Sequence, residues 1–257
     1  MIQQRREKLT FFEFENLAAF PEIRHAVFSR RGGTSRGAYS SLNVSFGIGD
    51  RDAAVVKNRR RIRDYFDGQP LVFVHQVHGF DVAVVALQER SDAGGAFISA
   101  GIADAMVTAV PGIYLVIQVA DCQAVMIYDP KKRVIANIHA GWRGSTRNII
   151  SRTIEVMQER FDGCPADFQV GIGPSLGPCC AEFVNYQNEI PESYWKFKDD
   201  AHRFDFWAIS KHQLQEAGVL LKHINVAGVC TRCRPKTFFS YRREKQTGRF
   251  AAAIGLL

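Results

Sequence analysis

The chain has 257 residues, 46% of them hydrophobic, and a formal net charge of +7 at pH 7. No apolar run reaches the roughly 18 residues that a membrane span requires, and the polar N-terminus lacks the apolar stretch of a signal peptide. Six cysteines are too few for a disulfide scaffold at this length, so we expect reduced thiols in a cytoplasmic protein. The composition leaves both a monomer and a homodimer open.

The basic residues concentrate in two segments. Residues 57–63 lie in a predicted helix, and the second group consists of Arg232, Arg234, Lys236, Arg242 and Arg243. No recognised nucleic-acid-binding motif accompanies them, and a positive pocket for a small anionic substrate explains the charge equally well. We therefore expect neither a nucleic-acid nor a membrane partner.

In chain order, apolar runs and turn residues predict a strand-rich protein with three helices. The first part has strands at 10–20 and 23–29, a glycine-rich loop at 30–37, a basic helix at 53–66, strands at 71–75 and 80–87, and a surface loop at 90–101. The remainder has strands at 104–108, 113–120, 123–129 and 133–139, a helix at 145–161, a strand at 167–172, a helix around 207–217, and strands at 224–229 and 249–256. Because strands cluster before helices, we predict an α+β fold in a single domain over residues 1–257.

Three separated residues could hold a metal ion. His139 ends the apolar run 134–138, and Cys122 sits between the apolar runs 113–120 and 124–128, so neighbouring strands could bring a thiolate beside an imidazole. His78 offers a further nitrogen. Two histidines and a cysteine suit zinc and leave its fourth position open for water, as in catalytic sites. The wide spacing carries no signal of its own, and Cys122 could instead be a small core residue.

Other residues could bind substrate or an anion. Arg143 and Ser145 lie where a helix is predicted to begin, and unpaired N–H groups there favour an anion. Arg31 in the glycine-rich loop is a second candidate. Ser145 could equally be a helix cap. His75 could orient substrate or support a ligand, or be a structural histidine.

The remaining cysteines form two pairs and a single residue. Cys179 and Cys180 are adjacent, and Cys230 and Cys233 have the CxxC spacing of metal ligands. Together they could form a structural zinc site, although adjacent cysteines are awkward ligands for one tetrahedral ion. Cys164 lies in a predicted turn without a partner.

Several motifs, in order along most of the chain, resemble one family. They are HQVHG at 75–79, DAMVT at 104–108, ADC at 120–122, HAGWRG at 139–144, GIGP at 171–174, GPCC at 177–180, FSYRR at 239–243 and TGR at 247–249. They are similar to those of the YfiH-like or laccase-domain family, once called multicopper polyphenol oxidases and later purine nucleoside phosphorylases. Their number and order make the resemblance specific.

The resemblance implies one α+β domain of mixed, largely antiparallel sheets flanked by helices, related to bacterial toxin cysteine-hydrolase folds. It implies zinc on His78, Cys122 and His139. The implied activities are phosphorolysis of adenosine, inosine and methylthioadenosine, with adenosine deamination alongside. Cys122 and Asp121 are then catalytic candidates, Asp121 as a proton shuttle or merely a backbone cap.

Three alternatives are weighed beside the resemblance. A metal-free cysteine hydrolase would use Cys122 as nucleophile and His139 as base. The older oxidase label fits poorly, because seven histidines are too few for a multicopper centre, although copper at a His₂Cys site is chemically possible. A nucleotide-binding or scaffold protein without turnover is a third class.

Overall fold

The computed structural model describes residues 1–86 and 96–257. Its strands are β1 Ile2–Arg6, β2 Leu9–Glu13, β3 Ile23–Phe28, β4 Leu71–His75, β5 Val82–Val84, β6 Phe97–Ile102, β7 Ala105–Thr108, β8 Tyr114–Val119, β9 Gln123–Asp129, β10 Val134–Ala140, β11 Gln169–Ile172, β12 Ile224–Val226 and β13 Phe250–Leu256. Its α-helices are α1 Glu15–Ala18, α2 Asp52–Tyr65, α3 Trp142–Thr146, α4 Ile149–Phe161, α5 Tyr186–Glu189, α6 Phe206–Glu216 and α7 Tyr241–Glu244. Short 3-10 helices lie at Gly37–Tyr39, Pro165–Asp167, Glu192–Phe197 and Leu221–His223.

The strands form two mixed sheets. The larger sheet has the order β1-β2-β3-β13-β8-β4-β6, and the smaller has the order β12-β11-β9-β10-β7-β5. Most neighbours are antiparallel, whereas β4 runs parallel to β6 and β8, β5 to β7, and β11 to β12. The direct connection from β8 to β9 carries the chain from one sheet to the other.

The two sheets pack face to face, with a helix on each outer surface. Alternation along the strands explains this arrangement, since successive side chains point to opposite faces. In β10, Ile135 belongs to the core between the sheets, whereas Ala136 and Ile138 pack in the cluster that contains α4. Ile62 of α2 lies in a third cluster, on the outer face of the larger sheet.

Several predicted boundaries were wrong. The strand predicted at 10–20 ends at Glu13, and α1 follows it. The loop predicted at 90–101 contains β6 from Phe97 onward, where the chain pairs with β4, while residues 87–95 lie outside the described residues. The helix predicted at 145–161 is two helices, because Asn148 adopts a left-handed conformation (φ 60°) and its side chain accepts a hydrogen bond from the Ser151 N–H group.

Two further differences concern strands. All five residues of β1 are exposed and four of them are polar, and its pairing with β2 was not predicted because it has no apolar alternation. The strand predicted at 80–87 is limited to β5, and its last residue lies outside the described residues. Among the residues that the structure describes, no helix has the length and apolarity to cross a bilayer.

Candidate metal centre

His78, Cys122 and His139 meet where the two sheets join. His78 lies in the loop after β4 of the larger sheet, Cys122 in the connection between β8 and β9, and His139 near the end of β10 in the smaller sheet. Their potential ligand atoms all lie within 4.8 Å of one another. The His78 and His139 rings meet edge to face, with centroids 4.8 Å apart. The structure thus brings together the three residues predicted as metal ligands.

The separations and the donor set suit a tetrahedral zinc ion. The Cys122 Sγ and His78 Nε2 atoms are 3.8 Å apart, and two such ligands on one tetrahedral zinc are separated by about 3.6 Å when the usual bond lengths apply. His139 is buried, Cys122 is partly exposed and His78 is exposed, so the cluster opens toward solvent on one side. Three protein ligands leave a fourth position for water or substrate.

Asp104, which directly precedes β7, connects two of these residues. Its Oδ1 atom lies 2.7 Å from His139 Nδ1, which leaves His139 Nε2 for a metal ion. Its carboxylate also accepts the backbone N–H groups of Val77, His78 and Gly79 at 3.1, 3.0 and 2.6 Å. Burial raises the pKa of Asp104, but these hydrogen bonds hold it below its usual value. A carboxylate behind a ligating imidazole is the usual support of a zinc site.

Gly141 explains how the cluster can be so compact. A Cβ atom at this position would lie 2.7 Å from His78 Cδ2 and 3.2 Å from Cys122 Sγ. Only glycine lets the backbone after β10 approach both side chains this closely. The glycine in the sequence HAGWRG therefore has a direct steric role at the centre.

Cys122 and His139 stabilise each other's charged forms. Burial raises the pKa of the Cys122 thiol, but the charge of His139 and hydrogen bonds from His139 and His78 lower it to about 6. Burial lowers the pKa of His139, but the Cys122 thiolate and Asp104 raise it to about 9. The thiolate is the form that binds a metal ion or attacks a substrate.

The Asp121 carboxylate holds the Cys122 loop in position through hydrogen bonds. Its Oδ1 atom accepts a hydrogen bond from Thr231 Oγ1, and its Oδ2 atom accepts one from the backbone N–H of Arg242, both at 2.6 Å. Its φ of 88° places it in the left-handed region. Its carboxylate therefore serves as a backbone cap, while its use as a proton shuttle stays a prediction.

The cluster faces a cavity of about 1510 Å³. His75 lines this cavity together with the three clustered residues. Aromatic and basic side chains supply much of the wall, among them Phe46, Phe73, Trp142, Phe183, Phe206, Tyr241, Arg59, Arg60, Arg63, Arg242, Lys245 and Arg249. Part of the charge of the basic helix thus surrounds this cavity, which suits an anionic, partly apolar ligand.

The residues predicted to hold an anion are not among those that line the cavity. Arg31 donates to the Lys236 carbonyl oxygen on the surface. Arg143 is exposed and lies over the Trp142 ring, at 5.1 Å from its centroid. Ser145 is completely buried inside α3 and is not its cap, which is Gly141. A binding role for these residues rests on sequence position alone.

Sequence reasoning missed Asp104, Gln76 and Arg249 as parts of the site. The Gln76 amide exchanges two 2.9 Å hydrogen bonds with the Gln118 backbone in β8 and so fixes the loop before His78. Arg249 lines the cavity, and burial lowers its pKa while the charges of Cys122 and Asp121 oppose that effect. The HQVHG, DAMVT and TGR motifs contained these residues, but only tertiary contacts reveal their functions.

Comparison with known proteins identifies the family. A family model described as multi-copper polyphenol oxidoreductase laccase matches residues 24–257. The chain belongs to this family. It is 33% identical over 241 residues to a Geobacillus stearothermophilus protein named purine nucleoside phosphorylase YlmD, with 88% of each chain covered. It is 31% identical over 262 residues to a Bacteroides thetaiotaomicron protein named purine nucleoside phosphorylase, with 94% of each chain covered.

Solved structures of the laccase-like family have the same fold. The crystal structure of YlmD from Geobacillus stearothermophilus superposes with a TM-score of 0.86 at 30% identity, covering 99% of this chain and 98% of that one. The Bacillus licheniformis hypothetical protein YfiH gives a TM-score of 0.86 at 28% identity, covering 97% of each chain. The predicted family resemblance and α+β class are thereby confirmed.

Proposed function

We propose that this protein is a zinc-dependent purine nucleoside phosphorylase with adenosine deaminase activity. Its substrates are adenosine, inosine and methylthioadenosine, and its phosphorolysis products are the free base and ribose 1-phosphate or its methylthio derivative. The observation that carries the proposal is the cluster of His78, Cys122 and His139, open to a cavity with aromatic and arginine walls. The names of relatives at 31–33% identity support the same activity.

The cavity offers separate groups for each part of the substrates. Phe183 and Phe206 present rings of the kind that pack on a purine base. Arg242 and Arg249 supply guanidinium groups for phosphate. Phosphorolysis requires phosphate against C1′ of the ribose while the base departs. The aromatic side chains and the arginines must therefore contact the nucleoside and the phosphate in the same bound complex.

His78, Cys122 and His139 are the residues that would hold zinc in this proposal. Zinc supplies a Lewis acid and a bound water of lowered pKa, which is the chemistry that deamination at C6 of adenine requires. Asp104 keeps the His139 tautomer and ring orientation fixed. Asp121 holds the Cys122 loop in position through the segments that contain Thr231 and Arg242.

A nucleoside panel with and without phosphate tests the proposal. We expect hypoxanthine release from inosine only when phosphate is present, and loss of this activity together with one equivalent of bound zinc in Cys122→Ala. The matched control is Cys164→Ala, because Cys164 is exposed and belongs neither to this cluster nor to the group formed by Cys179, Cys180, Cys230 and Cys233. Full turnover by Cys122→Ala, or base release independent of phosphate, would contradict the proposal.

A metal-free cysteine hydrolase is the second candidate. The observation in its favour is the proximity of the Cys122 thiol to the buried His139 imidazole, which Asp104 orients. Elemental analysis of protein purified without added metal separates the candidates. Zinc that is lost in Cys122→Ala favours the phosphorylase, whereas activity that depends on Cys122 without any zinc bound there favours the hydrolase. Stoichiometric copper with phenol oxidation would instead favour the activity in the family's description.

A further inference from the structure

A second group of four cysteines lies outside the His78–Cys122–His139 cluster. The sulfur atoms of Cys179, Cys180, Cys230 and Cys233 all lie within 4.8 Å of one another. Cys233 Sγ is 3.7 Å from Cys179 Sγ and 3.6 Å from Cys180 Sγ. These separations are far longer than the roughly 2.05 Å of a disulfide. They match the spacing of about 3.8 Å between sulfurs on one tetrahedral zinc with 2.3 Å bonds.

The backbone explains how adjacent cysteines reach one point. The segments that follow β11 and β12 continue side by side, since Ser175 bridges Cys230 and accepts the Thr231 N–H at 2.9 Å. A turn then reverses the first segment, with the Cys180 N–H donating to the Gly177 carbonyl at 2.9 Å. Gly177 allows this approach, because a Cβ there would lie 3.0 Å from Cys230 Cβ. The turn places both Cys179 and Cys180 against the CxxC segment.

The surroundings suit a negatively charged metal–thiolate centre. Four thiolates around a divalent ion leave a net charge of −2, which needs compensation where two of the cysteines are buried. The Arg232 guanidinium donates a hydrogen bond to Cys180 Sγ at 3.4 Å. Such a contact from an arginine to a ligating sulfur supports the ligand and offsets its charge.

We propose that Cys179, Cys180, Cys230 and Cys233 form a tetrathiolate site for a structural zinc ion. All four positions are taken by protein sulfur, which is the arrangement of closed, structural zinc sites, whereas His78, Cys122 and His139 leave one position open. The two sites therefore differ in ligand count and chemistry within one chain.

The tetrathiolate site is connected by hydrogen bonds to the Cys122 loop. Thr231 lies between two of its ligands and donates to Asp121, the neighbour of Cys122. On the other segment, the Leu176 N–H donates to the Asp121 carbonyl at 2.8 Å. Zinc binding would thus fix two of the segments that contact Asp121, although none of the four cysteines lines the cavity.

Elemental analysis of purified variants tests the proposal. We expect two zinc ions per chain in the natural protein, one in Cys233→Ser and one in Cys122→Ala. Cys233 is the chosen position because it is exposed, so its substitution disturbs packing little. Cys164→Ser is the matched control and should retain both ions. The melting temperature of Cys233→Ser should fall, because metal binding contributes to folding stability.

A cobalt-substituted variant covers the case in which Cys233→Ser does not fold. Cys122→Ala loaded with cobalt(II) should show the strong thiolate-to-cobalt absorption and visible bands of a tetrahedral four-sulfur site. The proposal is overturned if this spectrum is absent, or if zinc content is one ion per chain and falls to none in Cys122→Ala. A disulfide among the four cysteines in freshly purified protein, detected by non-reducing peptide mass analysis, overturns it as well. None of these results depends on nucleoside turnover, so the site stands or falls separately from the proposed activity.

Discussion

Asp104 links the proposed zinc ligands to the backbone around them. One carboxylate oxygen meets His139 and the His78 N–H, and the other accepts the N–H groups of Val77 and Gly79. An ionised carboxylate has only acceptors, so all four contacts are satisfied at once. The His78 loop, which has a φ of 58° at the histidine itself, therefore depends on a residue from the other sheet.

Asp104→Asn should weaken zinc binding about 10- to 100-fold, as is typical when the partner of a ligating histidine is changed. An amide presents an NH₂ group to at least one of the present donors, which tilts the His139 ring or the His78 loop. Competition with a chromophoric chelator measures the affinity. The control is Asp129→Asn. Asp129 is as buried as Asp104, but it caps the turn after β9, at the end of that strand that lies away from Cys122. Equal zinc affinities in the two variants would refute this role.

Arg249 is the arginine that we expect to matter most for phosphate. It lies in the cavity wall within the electrostatic reach of Cys122 and Asp121. Arg249→Ala should raise the KM for phosphate about ten- to hundredfold, from the loss of roughly 1.5–3 kcal/mol in a charge-assisted contact. Arg249→Lys should recover part of this loss because it keeps the charge.

Arg143→Ala is the matched control for this measurement, because the exposed Arg143 is outside the cavity wall. Its KM for phosphate should stay close to that of the natural protein. A larger rise in the KM for phosphate in Arg143→Ala than in Arg249→Ala would support Arg143 as the phosphate-binding residue, as the sequence suggested. Deamination of adenosine, which uses no phosphate, should be less affected than phosphorolysis in Arg249→Ala.

The junction between β2, α1 and β3 depends on a neutral histidine. The buried His25 of β3 accepts the Phe14 N–H through Nε2 at 2.7 Å, at the N-cap of α1, and its ring stacks on Phe14. Burial lowers the pKa of His25 to about 4. This contact ends β2 and directs the chain into α1.

The low pKa of His25 in the folded protein should make the protein less stable in acid, because the unfolded chain is protonated at this position first. Between about pH 6.5 and pH 4 the unfolded chain binds a proton at this position and the folded protein does not, so the free energy of unfolding falls as pH falls. The contribution is about 1.4 kcal/mol per pH unit, or roughly 3 kcal/mol over the window. Above pH 6.5 His25 is neutral in both the folded and the unfolded protein, so it adds no pH dependence to the free energy of unfolding.

Urea denaturation of His25→Gln and the natural protein across pH 4–7 measures this contribution. Glutamine retains an acceptor for Phe14 but does not titrate. We expect the difference in unfolding free energy between the two proteins to shrink toward pH 4. If the unfolding free energies of the two proteins fall in parallel from pH 7 to pH 4, His25 does not produce the acid sensitivity.

The central strands and the proximity of His78, Cys122 and His139 were the parts that sequence could predict. β8, β9 and β10 are largely apolar, and such segments predict buried strands without knowledge of their partners. Cys122 and His139 were found because each stands at the end or start of such a segment. The chemistry of those side chains then predicted a metal ion.

The remaining features depend on contacts between distant parts of the chain. β1 pairs through its backbone while its side chains stay in water, so no apolar pattern marks it. The break between α3 and α4 depends on the left-handed conformation of Asn148. Arg249 reaches the cavity from just before the last strand, more than one hundred residues after Cys122 in the chain. Local propensity contains none of this information.

The proposed zinc site requires both sheets to keep their relative position. His78 follows a strand of the larger sheet, whereas His139 belongs to the smaller one. Asn137 joins the sheets two residues before His139, donating through Nδ2 to the carbonyl oxygens of Leu115 and Ala252 at 2.9 Å each. Because Asn137 is fully buried in an otherwise apolar core, these bonds fix the alignment of β10 on the larger sheet.

Asn137→Leu should therefore affect both stability and metal binding. The side chain keeps its approximate volume but loses two hydrogen bonds, which should lower the unfolding free energy by about 1–3 kcal/mol. Zinc should also stabilise the variant less than the natural protein, because a ligand that binds only the folded state stabilises it more when its affinity is higher, in a logarithmic relation. Urea denaturation with zinc and with a chelator measures both effects. The exposed Asn188→Leu on α5 serves as control, and a change there of similar size, or undiminished zinc stabilisation in Asn137→Leu, would show that alignment of the sheets does not govern the site.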